Sequence, residues 1–418
     1  STLDDNRKEN RTLHLMSEED ALSKVQKYLH RQGIDRLSPI ARKVEREGTP
    51  NRRNVVLVFM ESMSANLMGT FGSDKKLTPY LDSLYQQSLS FSHFYSSGIH
   101  TNHGIYSTLY SFPAIMKRNA MKGSVIPVYS GLPTVLQENG YCNLFFMTHE
   151  SQYDNMNAFL RTNGFDEIYA QENYPSEKVV NSFGVQDDFM YQYALPILNE
   201  RAGTGNPFFS VLLSISNHPP YVIPPYFHPH SDVLEEQIVE YADWSIRQFM
   251  QAAEKQPWFD NTIFVFLGDH GKMVGTPECE MPQSYNHIPL MIYGKDIKPG
   301  VYDGFGGQVD VSPTLLGLLN ISYLQNNFGV NLLEEERPCM FFTADNLIGA
   351  RDSVNMFIYS PDSQQEFKYK LEEGKLRAAT GTDEEAFRNL KDYCFSMLQS
   401  TESLVKEHKT LDKVSVKK

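Results

Sequence analysis

The chain has few cysteines, little positive charge and no long apolar run, and each shortage excludes a class of protein. Four cysteines in 418 residues, none in a Cys-x-x-Cys pair, exclude a disulfide scaffold and a zinc finger and leave the redox compartment open. No segment approaches the roughly 18 uninterrupted apolar residues of a membrane span. The 38 Lys and Arg against 51 Asp and Glu give a net charge of −13, which argues against nucleic acid as a partner, because phosphate neutralisation needs clustered cations.

What the chain does contain is the composition of a folded globular protein. Hydrophobic residues make up 41% and charged residues 21%, and the length allows a large α/β domain with appendages. The first residue is Ser1 rather than Met, and no signal peptide follows it. A mature or trimmed form of a membrane-anchored parent is therefore compatible with the sequence.

The pattern along the chain predicts three regions. Residues 1–50 are polar, and Ser17-Glu-Glu-Asp20 indicates a helix start, so this region is expected to be an N-terminal helical arm. Residues 51–334 carry the apolar runs of a catalytic α/β domain. Residues 335–418 are expected to form a small C-terminal α+β subdomain.

Continuous apolar runs rich in β-branched and aromatic residues are typical of strands buried on both faces. Helical patterns lie between them, which predicts crossover connections and a three-layer α/β/α fold with a mostly parallel central sheet. The end of the chain predicts antiparallel strands and a last helix from about Asp383. The predicted strands are 54–60, 143–147, 208–215, 262–267 and 288–293 in the sheet, and 340–343, 356–359, 367–371 and 375–378 in the subdomain. The predicted helices begin at Thr78-Pro79, span 234–249 and begin at Ser312-Pro313.

Polar side chains follow four of these runs, at the sheet edge where α/β proteins bind ligands. Asp269-His270 is the sharpest pair, because Gly268 and Gly271 allow the tight backbone bend that turns both side chains toward one ion. Oxygen and nitrogen ligands suit Mn²⁺ or Zn²⁺ and suit Mg²⁺ less well. The residues that follow the runs are Glu61, Thr148-His149, Ser216-Asn217-His218 and Asp269-His270.

Thr101 is the candidate nucleophile. Gly98 and Gly104 bracket a tight turn, and Ile105 and Leu109 then indicate a helix, so Thr101 is placed near a helix N-terminus that favours an anion. A hydroxyl there is either a plain N-cap or, with a metal beside it, an attacker of a phosphorus centre.

Four histidines are candidate substrate-binding residues: His103, His149, His218 and His287. His218 is preferred, because it stands in a stiff Pro-Pro loop beyond a buried run. His228 and His230 are expected to be solvated, and Cys279 to be structural. Gln308, Asp310 and Ser312 are expected to fix a turn and a helix start.

Taken together, these motifs resemble the alkaline phosphatase/sulfatase superfamily over residues 54–320. The resemblance is carried by segments 54–62, 77–84, 268–271 and 308–316. The Cys/Ser-x-Pro-x-Arg motif of arylsulfatases is absent. His100-Thr-Asn-His-Gly104, Ser216–Tyr221 and the segment 149–165 instead resemble the lipoteichoic acid synthase and phosphoglycerol transferase branch.

The resemblance implies a site and an activity. Glu61, Thr101, Asp269 and His270 would hold one divalent ion, usually Mn²⁺ in relatives, with Mg²⁺ or Zn²⁺ possible. Thr101 would attack a phospholipid donor and pass phosphoglycerol or a related head group onward; the alternative is a sulfatase or phosphodiesterase-type hydrolase on the same site. Anionic phospholipid or glycan esters would be the substrates. The location would be extracytoplasmic, periplasmic or at the cell surface, at a membrane surface reached through an N-terminal anchor.

The chain also departs from the branch. Relatives often have Arg on either side of the nucleophilic Thr, where this chain has His100 and His103. In the donor segment some relatives have an aromatic residue followed by Arg, whereas this chain has Tyr153-Asp-Asn155. A head group other than glycerophosphate is therefore compatible with the sequence.

Overall fold

The computed structural model of the protein describes residues 13–380 and 384–413. The predicted helix start at Asp383 lies outside these residues. The helices are α1 (Glu18–Tyr28), α2 (Pro79–Gln87), α3 (Thr101–Tyr110), α4 (Leu132–Glu138), α5 (Met156–Thr162), α6 (Asp187–Ala202), α7 (Leu234–Ala253), α8 (Gln283–Asn286), α9 (Val311–Leu318) and α10 (Glu384–Lys406). The strands are β1 (Arg42–Val44), β2 (Asn54–Met60), β3 (Leu89–Tyr95), β4 (Cys142–Met147), β5 (Glu167–Tyr169), β6 (Val179–Asn181), β7 (Gly184–Val185), β8 (Phe208–Leu213), β9 (Thr262–Gly268), β10 (Leu290–Tyr293), β11 (Gly300–Gly307), β12 (Tyr323–Gln325), β13 (Met340–Thr343), β14 (Ile348–Arg351), β15 (Asn355–Ser360), β16 (Gln365–Glu372) and β17 (Lys375–Ala378).

The apolar runs form one central sheet of eight strands in the order β11-β3-β10-β9-β2-β8-β4-β5. Five of its seven neighbouring pairs are parallel, which confirms the predicted mostly parallel sheet. The exception is β10, which runs antiparallel to both β9 and β3. The connection from β9 to β10, residues 269–289, has the four-residue helix α8 as its one helix or strand, and it brings the chain back antiparallel beside β9.

Helices cover both faces of the sheet. Alternate residues of β2 enter different cores, so that Val55 and Leu57 pack with one cluster and Val56 and Val58 with the other. The first core includes residues of α3, α4, α5 and α9, and the second includes residues of α2, α6 and α7. This arrangement confirms the three-layer α/β/α prediction.

The C-terminal strands β13 to β17 form an antiparallel five-stranded sheet in chain order, as predicted. Helix α10 packs on this sheet and also on α1 of the N-terminal arm. Lys24 Nζ lies 2.6 Å from Asp392 Oδ2, and the Tyr28 ring meets the Tyr393 ring edge-on. The arm and the subdomain therefore contact each other, while the region boundaries at 50 and 334 stay predictions. Among the described residues, no helix combines the length and the apolar character that a membrane span requires.

A buried ion pair joins the α/β body to the C-terminal part. Arg337 donates through Nε and Nη2 to the two carboxylate oxygens of Asp310, each at 2.7 Å, and both side chains are almost fully buried. Arg337 also donates to the Tyr393 hydroxyl of α10 at 3.2 Å. Asp310 in turn accepts from the Gly307 N–H, which confirms its predicted role in the turn before α9. That helix begins at Val311, one residue before the predicted Ser312.

Replacing Arg337 with Met should lower the free energy of unfolding by about 3–5 kcal/mol, because it leaves the buried Asp310 carboxylate without its partner. Urea denaturation followed by circular dichroism measures this loss. The matched control is Arg377→Met, since Arg377 is 61% exposed and pairs with an equally exposed Glu372. Equal losses in the two variants would contradict the assigned role of Arg337.

Candidate metal and nucleophile site

Strand register brings the two central carboxylates together. Strands β2 and β9 run parallel with Met60 opposite Gly268, so Glu61 and Asp269 leave the sheet side by side. The Glu61 N–H donates to Ser214 Oγ at 2.9 Å, which ties this strand end to the end of β8. The ends of β2, β8 and β9 therefore lie together at the sheet edge that the apolar runs predict.

Glu61, Asp269 and His270 form a compact cluster whose ligand atoms all lie within 4.8 Å of one another. His270 Nε2 lies 3.6 Å from Glu61 Oε1 and 3.5 Å from Asp269 Oδ2. Glu61 is 1% exposed and Asp269 is fully buried. The structure thus brings Glu61 to an adjacent pair of residues, Asp269 and His270, that lies more than 200 positions further along the chain.

The hydrogen bonds around this cluster leave it short of positive charge. His270 Nδ1 lies 2.7 Å from the Gly271 carbonyl and donates to it, so the Nε2 lone pair is directed at the two carboxylates. Asp269 Oδ1 accepts from the backbone N–H groups of Ser62 and His270, but the buried Oδ2 finds no donor among the described residues. Burial and the Asp269 charge raise the pKa of Glu61 well above its ordinary value. Hydrogen-bond acceptors that face one another in a buried site have lone pairs without a partner. Such a group of oxygen and nitrogen lone pairs is what a divalent cation binds.

Thr101 lies beside this cluster at the start of α3. His100 is the N-cap, Thr101 is the first helical residue, and its hydroxyl donates to Glu61 Oε2 at 3.3 Å. The N-terminal N–H groups of α3 favour negative charge at this position. The predicted placement of Thr101 at a helix start is confirmed, and its role as nucleophile stays a prediction.

Two long-range contacts fix α3 against the Asp269 loop. Gly104 packs so closely that a Cβ atom there would lie 2.2 Å from the Asp269 carbonyl oxygen. Gln308 Nε2 donates to the carbonyls of Gly268 and Asp269, at 3.1 and 2.7 Å, while its Oε1 accepts from the Ser97 N–H. Gln308, expected only to fix a turn, is thus a buried bridge between the segment that carries Thr101 and the loop that carries Asp269.

His218 and His149 lie at two ends of a row of aromatic rings. Ring centroids are 4.8 Å apart for His149 and Tyr153, 6.2 Å for Tyr153 and Phe183, and 4.2 Å for Phe183 and His218. His218 is partly exposed and donates from Nδ1 to the Pro219 carbonyl at 2.6 Å. Burial lowers the pKa of His149. Both side chains keep their predicted status as substrate ligands.

His103 and His287 are held inside the body. His103 Nε2 donates to the Arg118 carbonyl at 3.2 Å, and burial lowers its pKa to about 3. His287 Nε2 donates to the Ser92 carbonyl at 2.8 Å, its ring stacks on Tyr95, and burial lowers its pKa to about 4. These contacts are those of packed core histidines, so a substrate contact for either stays a prediction without geometric support.

Sequence reasoning placed Asn217 at this sheet edge without giving it a role, and it missed Lys272. Asn217 Nδ2 donates to the carbonyls of Glu61 and Ser62, at 3.1 and 3.3 Å. Lys272 Nζ donates to Asn217 Oδ1 at 2.7 Å and lies 5.4 Å from the Tyr221 ring centre. Lys272 forms no ion pair with any described residue, and burial lowers its pKa to about 8. The available signal was its position directly after Gly271, in the same loop as Asp269.

Replacing Gly104 with Ala should weaken Mn²⁺ binding about tenfold, because the added methyl displaces the Asp269 carbonyl and with it the carboxylate. Ala is a better helix former than Gly by about 1 kcal/mol, so the substitution does not weaken the helix itself. A loss of Mn²⁺ affinity would therefore come from the contact with the Asp269 loop. Calorimetric titration of metal-free protein with Mn²⁺ measures the change. Gly300→Ala is the control, since a Cβ at Gly300 meets nothing within 4 Å. Wild-type affinity in Gly104→Ala would show that the contact does not position Asp269.

Two solved structures have a fold similar to that of this chain. A protein in the alkaline phosphatase superfamily from Vibrio parahaemolyticus superposes with a TM-score of 0.85 at 26% identity, covering 94% of this chain and 97% of that one. The lipoteichoic acid synthase LtaP from Listeria monocytogenes superposes with a TM-score of 0.73 at 22% identity, covering 92% and 98%. The second likeness is one of fold.

Curated relatives are lipoteichoic acid synthases. Lipoteichoic acid synthase-like YvgJ of Bacillus subtilis is 25% identical over 324 residues, covering 69% of this chain and 51% of the relative. Lipoteichoic acid synthase of Staphylococcus aureus strain NCTC 8325 is 24% identical over 400 residues, covering 84% and 58%. The chain thus spans about half the length of the curated relatives it matches.

The sequence profile of the Sulfatase family matches residues 53–321, which include Glu61, Thr101, Asp269 and His270. The superfamily generally uses a divalent metal, and the cluster described above is a candidate site for one. The chain belongs to the sulfatase family within the alkaline phosphatase superfamily, in its lipoteichoic acid synthase-like branch, and is an enzyme of that superfamily.

Proposed function

We propose that the chain is a metal-dependent transferase that moves phosphoglycerol, or a related phosphorylated head group, from a phospholipid donor through a covalent intermediate on Thr101. The observation that carries this proposal is the Thr101 hydroxyl at the start of α3, 3.3 Å from Glu61 and beside a buried cluster of two carboxylates and an imidazole. Similarity to lipoteichoic acid synthases supports the transferase class. The absence of the Cys/Ser-x-Pro-x-Arg motif speaks against a sulfatase.

The residues present fit one divalent ion, and we propose Mn²⁺ as the occupant. Glu61, Asp269 and His270 would hold it, with the Thr101 hydroxyl as a fourth ligand. When bound, the ion would lower the pKa of the hydroxyl and stabilise negative charge on phosphoryl oxygens. The buried Asp269 Oδ2 without a donor is the observation that favours a cation over a structural hydrogen-bond network.

Thr101 would act as the nucleophile in the first of two displacements and as the leaving group in the second. In the first, the Thr101 hydroxyl loses its proton and Oγ bonds to phosphorus, the bond from phosphorus to the diacylglycerol oxygen breaks, and that oxygen takes up a proton. In the second, an acceptor hydroxyl loses its proton and attacks the phosphothreonine, the bond between phosphorus and Thr101 Oγ breaks, and Oγ takes up a proton. The N–H groups at the start of α3 would stabilise charge on the phosphoryl oxygens in both steps.

The mouth of the site would select the head group. The aromatic row from His149 to His218 offers apolar faces and imidazole nitrogens to a polyol phosphate. Asp154, which stands where some relatives have Arg, accepts from Asn102 and pairs with Lys122. Lys272, which donates to Asn217 and forms no ion pair with any described residue, would bind a second anionic oxygen of the donor.

We further propose that the enzyme acts outside the cytoplasm at a membrane surface, tethered through an N-terminal anchor. The net charge of −13 opposes long-range attraction of an anionic lipid. The local field of the cation and of Lys272 would decide binding instead. A soluble acceptor, a glycan or a growing polymer, would meet the intermediate from the open side of the site.

The proposal is tested by incubating the metal-loaded protein with phosphatidylglycerol and following release of diacylglycerol. Thr101→Ala should lower turnover by about 10⁴-fold or more, because no other hydroxyl replaces the nucleophile, while Mn²⁺ still binds, though more weakly. Asp269→Ala is the contrasting variant and should lose metal and activity together. Metal content by mass spectrometry separates the two.

Two outcomes would contradict the proposal. Equal turnover by wild type and Thr101→Ala would show that Thr101 is not the nucleophile. Cleavage of a sulfate ester without diacylglycerol release from phosphatidylglycerol would assign the chain to the hydrolase alternative.

Replacing Lys272 with Met should raise the KM for the phospholipid donor about tenfold with a smaller change in kcat, because an ionic hydrogen bond to bound donor is lost. Lys272→Arg should keep most of the affinity, since it keeps the charge. Lys295→Met is the control, because Lys295 is 61% exposed and pairs with Asp260. A KM unchanged in Lys272→Met would remove Lys272 from the binding site.

A further inference from the structure

A groove with an apolar lining lies beside the helix that carries Thr101. It encloses about 440 Å³, within the range of about 300–1,000 Å³ typical of ligand pockets. One wall comes from the segment between α3 and α4, and the other from the end of the chain after α10. Apolar residues of the lining include Tyr106, Ile115, Ile126, Val128, Tyr129 and Leu411.

The groove is linked to the candidate site by two sets of side-chain contacts. The Arg118 carbonyl on its wall accepts from His103 Nε2, two residues beyond Thr101 on α3. Lys122 Nζ on its rim lies 3.0 Å from Asp154 Oδ1, and the other oxygen of Asp154 accepts from Asn102 Nδ2 at 3.2 Å. Two side chains, those of Asp154 and Asn102, therefore connect Lys122 on the rim of the groove to the residue next to Thr101.

The rim and the lining differ in chemistry. Val125 is 80% and Val128 is 45% exposed, so the lip of the groove presents large apolar side chains to solvent. The lining includes the cations Arg118 and Lys122, and none of its described residues is Asp or Glu. Arg118 lies 3.6 Å from the buried Glu402, whereas Lys122 stays 58% exposed beside Asp154. Both cations already have carboxylate partners, so the complementarity of the groove to a lipid lies in its apolar lining and in the absence of acidic side chains among its described residues.

We infer that this groove holds an acyl chain of the glycerophospholipid donor whose phosphate is attacked by Thr101. The inference rests on the proposed function and specifies the donor as an intact lipid rather than its free head group. The lipid would lie with its phosphate at the start of α3, its glycerol near Lys122 and one chain along Ile115, Val128 and Tyr129. Val125 and Val128 at the lip would contact the bilayer from which the chain is drawn.

The test compares a lipid with its head group on the metal-loaded protein. Val128→Asp places a charge in the groove, and Val125→Asp is a second variant at a more exposed lip position. Val354→Asp is the matched control, because Val354 is a 51% exposed valine in the C-terminal sheet region. Binding of dihexanoyl phosphatidylglycerol and of glycerol 3-phosphate is measured by calorimetry, and turnover of the same lipid and of a soluble nitrophenyl phosphodiester by product release.

Both groove variants should weaken binding of dihexanoyl phosphatidylglycerol about tenfold, the effect of losing roughly two buried methylenes, and raise its KM equally. Glycerol 3-phosphate binding and phosphodiester turnover should stay at wild-type values, and Val354→Asp should change nothing. Wild-type lipid affinity in both groove variants would overturn the inference, as would an equal loss for lipid and head group.

Failure of the proposed function gives a different result. If the wild type turns over neither substrate, the transferase proposal fails, but lipid binding still reports on the groove. Chain-dependent affinity that is lost in Val128→Asp would then support the groove, and equal affinity for lipid and head group in the wild type would overturn it.

Discussion

The structure depends on one constraint, which is that two buried carboxylates and an imidazole lone pair are held facing one another. Glu61, Asp269 and His270 all direct hydrogen-bond acceptors into the same small volume, and contacts elsewhere in the fold hold them there. Such a cluster is unfavourable unless a cation neutralises it. The sheet register, the Gly104 contact and the Gln308 bridge together hold these three side chains in place.

The same constraint explains why Thr101 belongs to the site. Helix α3 delivers its N-terminus, with its partial positive charge, to the place where the carboxylates converge, and the hydroxyl joins the cluster through Glu61. The closeness of α3 to the Asp269 loop is possible only because residue 104 lacks a side chain. The Thr101 hydroxyl and the cluster of Glu61, Asp269 and His270 are thus positioned by close backbone contacts, which favours a preorganised site.

Comparison with the sequence shows which signals were strong. Four of the apolar runs are followed by polar residues, and because neighbouring parallel strands end at the same edge, the sequence alone places Glu61 and Asp269 together. Lys272 carried no such signal, since a lysine after a glycine is most often solvated. The sequence predicts His103 and His287 as substrate-binding residues. It does not show that each ring is enclosed and hydrogen-bonded to a backbone carbonyl. The antiparallel direction of β10 could not be predicted, because an apolar run looks the same in the sequence whichever way the strand runs in the sheet.

The sequence by itself determined the layered α/β/α architecture, the small C-terminal sheet and the short list of chemistry-bearing residues. Periodicity, glycine-bracketed turns and strand-end polarity are local properties, and local physics suffices to read them. Only the tertiary structure decided the Gln308 bridge, the Lys272 and Asn217 contacts and the groove formed by segments 114–129 and 405–411. These features join positions that lie up to almost 300 residues apart, and which distant side chains meet is set by packing of the whole chain, which no local pattern encodes.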